Sequence, residues 1–129
     1  MEDRSTKITV RDKEYELILS VAAVKKIVSR FGGLEKIGDA IHNASYEEKI
    51  DIFVWLICLM GNQGIALYNF ENPDDKMDLW TEEYLEMVLT PADILENQPA
   101  IMEAMTKGAK RNIKSQPTPS KKKKAKTAE

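Results

Sequence analysis

The chain has 129 residues, 43% of them hydrophobic and 31% charged, enough for one compact domain with a real core and too apolar for a wholly disordered chain. Its net charge of −2 conceals an uneven distribution: residues 1–108 hold 11 Lys and Arg against 20 Asp and Glu, net −9, whereas residues 109–129 hold 8 against 1, net +7. A single cysteine, Cys58, excludes an internal disulfide framework and fits a reducing cytoplasm, and the first residues, Met-Glu-Asp-Arg-Ser-Thr-Lys, contain no apolar stretch of the kind that marks a secreted chain.

In chain order, Lys7 to Val10 and Glu14 to Leu19 alternate apolar and polar residues around Arg11-Asp12-Lys13. That pattern predicts a β-hairpin, which is marginal alone and must lay its apolar face on helices. Ser20 then stands where an N-cap is needed, before Val21, Val24, Ile27, Val28 and Phe31 at three- and four-residue spacing, and Gly32-Gly33 stops that helix. Lys25, Lys26 and Arg30 fall on its other face, as a solvated surface or as the contact for an acidic partner. Leu34, Ile37 and Ile41 mark a short second helix ending at His42, which has no Cys, Asp or Glu near it at metal-ligand spacing and reads as a helix-end residue.

Ser45-Tyr46-Glu47-Glu48 has the form of a capping box and opens the central helix. Nine consecutive apolar residues from Ile52 to Met60 leave that helix no polar face, so it must be covered on every side. A membrane span needs roughly 20 such residues, and Gly61-Asn62-Gln63-Gly64 closes the run first, so a buried core helix is the expectation. Ile65 to Phe70 is too short to assign between strand and helical turn.

Glu71 to Lys76 is an acidic, turn-rich loop whose Asp74, Asp75 and Asp78 lack the glycine and the closing glutamate of a calcium loop. Thr81 caps a helix with Glu82 and Glu83 in its first turn, and Trp80 is placed to staple onto Leu85. Thr90-Pro91 opens a last helix that Pro99 is expected to interrupt, after which Ile101, Met102 and Met105 carry the apolar face to Lys107-Gly108. From Ala109 the apolar pattern stops, and Ser115 to Ser120 followed by Lys121 to Lys124 has the composition of a disordered basic tail.

The expected fold is therefore α+β: residues 1–108 form a domain with an N-terminal hairpin on five or six helices, and residues 109–129 a lysine-rich tail. No phosphate-binding glycine loop, nucleophile elbow or paired cysteines appear, so no catalytic, cofactor or metal residue is assigned and the chain is not read as an enzyme. Met87, Met102 and Met105, with Met77, are core or rim side chains, or else an adaptable surface for a helical partner.

The order of these segments resembles the tail assembly chaperones of long-tailed bacteriophages and related prophages. The resemblance lies in Lys13-Glu14-Tyr15-Glu16-Leu17 after a short strand, Phe31-Gly32-Gly33-Leu34, an apolar helix leading into Gly61-Asn62-Gln63-Gly64-Ile65, and Trp80-Thr81-Glu82-Glu83 running to Leu89-Thr90-Pro91-Ala92-Asp93-Ile94. It covers about Lys7 to Lys107 and implies a non-enzymatic protein of the bacterial host cytoplasm, absent from the mature virion. Such a protein binds the tape-measure protein and helps tail-tube subunits gather around it. Members of that family are often accompanied by a longer product of ribosomal frameshifting, and Lys121, Lys122, Lys123 and Lys124 are encoded by codons that permit a slippery run there. The partners so implied are the tape-measure protein, the tail-tube protein, the extended form of the chain and further copies of itself, with no membrane.

A rival reading is a small nucleic-acid-associated or regulatory protein acting through its basic tail, where sequence-blind phosphate attraction is available. Against it, the acidic body repels phosphate and carries no recognition helix with clustered Arg, Asn or Gln. A generic oligomeric adaptor would share the chaperone's composition and differ in its client.

Overall fold

The computed structural model describes residues 5–109 and has the expected α+β organisation, an N-terminal two-stranded antiparallel hairpin followed by five helices. Strands β1 (Ser5–Val10) and β2 (Lys13–Ile18) pair with Ile8 opposite Tyr15 and Thr6 opposite Leu17. Arg11 and Asp12 close the turn, both left-handed at φ 54° and 66°. Two left-handed residues in a two-residue loop follow the right-handed twist of the strands, a geometry usually built with Asn-Gly. The period of two then puts Ile8, Val10 and Leu17 in the core and leaves Lys7, Thr9, Glu14 and Glu16 exposed.

Helix α1 (Val21–Phe31) begins at Ser20, whose hydroxyl accepts from the Ala23 N–H at 3.1 Å, and ends at Gly32 with φ 94°. Helix α2 (Lys36–His42) buries Ile37. Helix α3 (Tyr46–Glu71) starts with both halves of the expected capping box: the Glu48 N–H donates to Ser45 Oγ at 3.2 Å, and the Ser45 N–H donates to Glu48 Oε1 at 2.8 Å. Helix α4 (Glu82–Val88) is capped by Thr81, and α5 (Pro91–Ala109) by a reciprocal pair between Thr90 and Asp93.

Two boundaries differ from the sequence reading. Gly61-Asn62-Gln63-Gly64 does not end the central helix, which runs 26 residues to Glu71, so the ambiguous segment Ile65–Phe70 is helical. The glycines serve close packing instead of termination. A Cβ on Gly61 would overlap the Trp80 ring, and one on Gly64 would overlap the backbone carbonyl of Glu16 in β2. Pro99, likewise, lies within a continuous α5. Its missing N–H and its ring act on the carbonyl of Leu95, and Leu95 and Pro99 are both solvent-exposed. Water can serve that carbonyl while Ile94, Ile101 and Ala104 hold both halves of the helix to the core.

Helix α3 is the element every other layer meets. The hairpin packs on it through β2, α5 spans both it and β1, and α1, α2 and α4 take its remaining sides. Leu17, Ile27, Ile37, Leu56, Ile57, Met60, Ile65, Leu85 and Ile101 are fully buried around it, each stabilising the fold by about 1.5–3 kcal/mol. Trp80 and Leu85 both belong to this same core. By length and composition α3 could cross a membrane, with mean hydropathy 1.7 over its most apolar window, and half of that window is buried inside the chain.

The glycines give a direct test of the packing argument. Gly64→Ala should destabilise the protein by about 1–3 kcal/mol through overpacking, outweighing the gain in helix propensity. Gly38→Ala, with nothing within 4 Å of the new methyl, should stabilise by up to about 1 kcal/mol. Urea denaturation midpoints decide; a Gly64→Ala protein as stable as the parent would remove the close-approach account.

Candidate partner-binding surface

The segment from Asn72 to Thr81 returns along α3, and two asparagines bind it there. Asn62 Oδ1 accepts from the Trp80 N–H at 2.7 Å, and Asn62 Nδ2 donates to the Trp80 carbonyl at 2.9 Å. Two turns further along the same face, Asn69 does the same with Met77, at 2.7 and 2.9 Å. Residues seven apart on a helix share a face two turns apart, so the pair grips the loop at two points. Trp80 is thereby pressed onto Gly61 and meets Tyr15 of β2 edge-on, with ring centroids 4.6 Å apart.

Between β2 and the last turns of α3 this leaves an open groove of about 430 Å³, lined by Lys13, Tyr15, Ile65, Leu67, Tyr68 and Met77 among others. Lys13 reaches over its mouth, with Nζ 3.5 Å from Met77 Sδ and 5.8 Å from the Tyr15 ring centre. Tyr68 donates to Asp75 at 2.6 Å, and that bond holds the phenol above its usual range. Leu67 at the edge is 40% exposed and Phe70, one turn on, 84% exposed. These apolar side chains continue the interior pattern of α3 into solvent, because α1 begins opposite Gln63, where Ser20 Oγ donates to Gln63 Oε1 at 2.6 Å, and does not reach the final turns.

The methionines are dispersed. Met105 is packed in the core at 8% exposure, Met77 is half-buried at the groove, and Met87 on α4 and Met102 on α5 are exposed on separate helices, neither lining the groove. Lys121 to Lys124 lie outside the described residues. Leu67, Phe70, Asn62 and Asn69 were not singled out by the sequence reading. The available signal was that Ile65 and Leu67 extend the apolar run past Gly64, with a spacing of three between the two glycines.

Among the described residues, no three of His, Cys, Asp and Glu are grouped to hold a metal ion. Asp75 is engaged by Tyr68, and Cys58 sits half-buried with its Sγ 3.6 Å from the Trp80 carbonyl. Burial first, and the Glu82 carboxylate second, push the Cys58 thiol up. Compared with protein-family models, curated proteins and solved structures, the chain gives no match.

The thiol reports on this packing. At about pH 8, Cys58 should react with a disulfide reagent more slowly in the folded protein than in urea, because little thiolate is present. Glu82→Gln should recover only part of the difference, since burial is the larger cause; equal rates in the folded and unfolded chain would contradict it.

Proposed function

We propose that this protein is a non-enzymatic tail assembly chaperone of a long-tailed bacteriophage or prophage. It binds the tape-measure protein in the host cytoplasm and assists tail-tube assembly, without entering the mature virion. The order of sequence motifs from Lys7 to Lys107 suggests the class. One structural observation supports a binding role: the last turns of α3 present Leu67 and Phe70 to solvent beside a partly apolar groove. Amphipathic segments of a long helical client dock into such surfaces through a few apolar anchors, and the flexible thioether of Met77 can re-pack around different ones.

Co-expression with the tape-measure protein encoded downstream tests the reading. The client should become soluble and co-purify with this chain. Phe70→Ser should weaken that effect while folding normally, because substitutions at strongly exposed positions usually cost about 0.5 kcal/mol or less. A client that stays insoluble with the short and extended products both present, or no tape-measure gene nearby, ends the assignment.

The extended product is tested separately by the gene. A slippery run at the codons for Lys121 to Lys124, followed by an overlapping downstream frame, is expected. Its absence removes that part of the proposal.

A further inference from the structure

The two asparagine clamps on α3 share one chemistry and hold unequal things. Each makes one hydrogen bond in each direction, Asn62 with Trp80 and Asn69 with Met77, all four between 2.7 and 2.9 Å. Trp80 is 7% exposed, meets Tyr15 edge-on and fills the space above Gly61. Met77 is only half-buried, and every other residue from Pro73 to Leu79 is exposed. The Asn69 clamp ties that outer stretch to the body, together with the Tyr68 hydroxyl, which donates to Asp75 at 2.6 Å, and the weak contact of Lys13 Nζ with Met77 Sδ at 3.5 Å.

Holding Pro73 to Leu79 in one conformation costs backbone entropy at each residue. A few exposed hydrogen bonds and one half-buried side chain offset little of it, so the stretch belongs to the low-stability end of the structure, where opening is local. Charge acts in the same direction. Glu71, Asp74, Asp75 and Asp78, against the single Lys76, follow the negative C-terminal pole of α3, whose last turn holds no base. The two ends, by contrast, are fixed. Asn72 donates from its backbone N–H and from Nδ2 to the Tyr68 carbonyl, at 2.8 and 2.9 Å, and Trp80 is seated in the core.

We propose that Pro73 to Leu79 is a strap that opens as one unit, between the fixed points Asn72 and Trp80, while the rest of the fold stays closed. Met77 is the strap's one side chain on the groove of about 430 Å³, whose other walls come from β1, β2 and α3. Opening therefore removes one wall and widens the groove over Ile65 and Tyr15 without disturbing the core. The opening stands on these contacts alone; its role as the gate that a client helix passes rests on the chaperone reading.

Amide hydrogen exchange of the full chain, followed residue by residue by NMR, tests this. Corrected for intrinsic rates, the Met77 N–H should exchange more than about tenfold faster than the Trp80 N–H, although both donate to an asparagine side-chain oxygen. Tyr68→Phe removes the bond to Asp75 and none to Met77, and should speed Met77 exchange about fivefold, the worth of one hydrogen bond, with Trp80 unaltered. Equal protection at the two amides, or a Met77 rate that ignores Tyr68→Phe, overturns the strap. The gate is read with the neutral apolar dye Nile red: Asn69→Ala, which unfastens the outer clamp, should raise its fluorescence while Trp80 keeps its protection. An unchanged dye signal, or Trp80 losing protection in that variant, overturns it as well. A client solubilised by a protein whose strap does not open alone would leave the chaperone reading standing without a gate. An opening strap with no client solubilised would leave the strap standing and that reading lost.

Discussion

The close approach of two chain segments to one side of α3 is the contact on which the rest of the fold depends. A helix with no polar face must be covered all round, and covering it tightly requires places where backbone or a flat ring can come nearer than a side chain allows. Gly64 lets the β2 backbone in at Glu16, and Gly61 lets in Trp80. Trp80 then carries Tyr15 of the hairpin on one side and precedes Thr81, which starts α4. Hairpin, loop and α4 are thus positioned by two missing methyl groups on one helix.

Much of this was legible in sequence, because local rules and burial agreed. The strand alternation, Ser20, the Ser45 and Glu48 box, Thr81 and Thr90-Pro91 each act within a few residues of themselves, so pattern alone locates them. The misread positions are those where a distant partner decides. A glycine pair in a helix looks like a stop until Trp80 and Glu16 are placed against it, and Pro99 looks like a break until its exposure is known. The same limit applied to the surface. Val21 and Val28 fit the apolar spacing of α1, but α3 and α2 approach from the side of Ala23 and Ile27. Met105 and Met87 are the same residue type with opposite fates, which composition cannot separate.

Coverage of α3 is uneven, and the unevenness is where a binding role would reside. Near Trp55, which meets Phe31 of α1 edge-on at 5.8 Å, the helix is covered by its own chain, whereas its last turns end in the exposed Phe70. A protein that had only to be stable would gain by a polar residue at that position. An apolar helix end is a cost to solubility that a partner would relieve.

The asparagine clamps carry a consequence for how this chain can change over generations. Each uses an amide's donor and acceptor on main-chain groups of Trp80 or Met77, so the grip does not read most of the loop's side chains. An aspartate in place of either asparagine would set oxygen against a carbonyl and lose one bond of the pair. The residues between Asn72 and Leu79 are under no such restriction, apart from those that touch Tyr68 or line the groove. Drift there, with Asn62, Asn69 and the two glycines held, would change the loop's surface while leaving its scaffold in place.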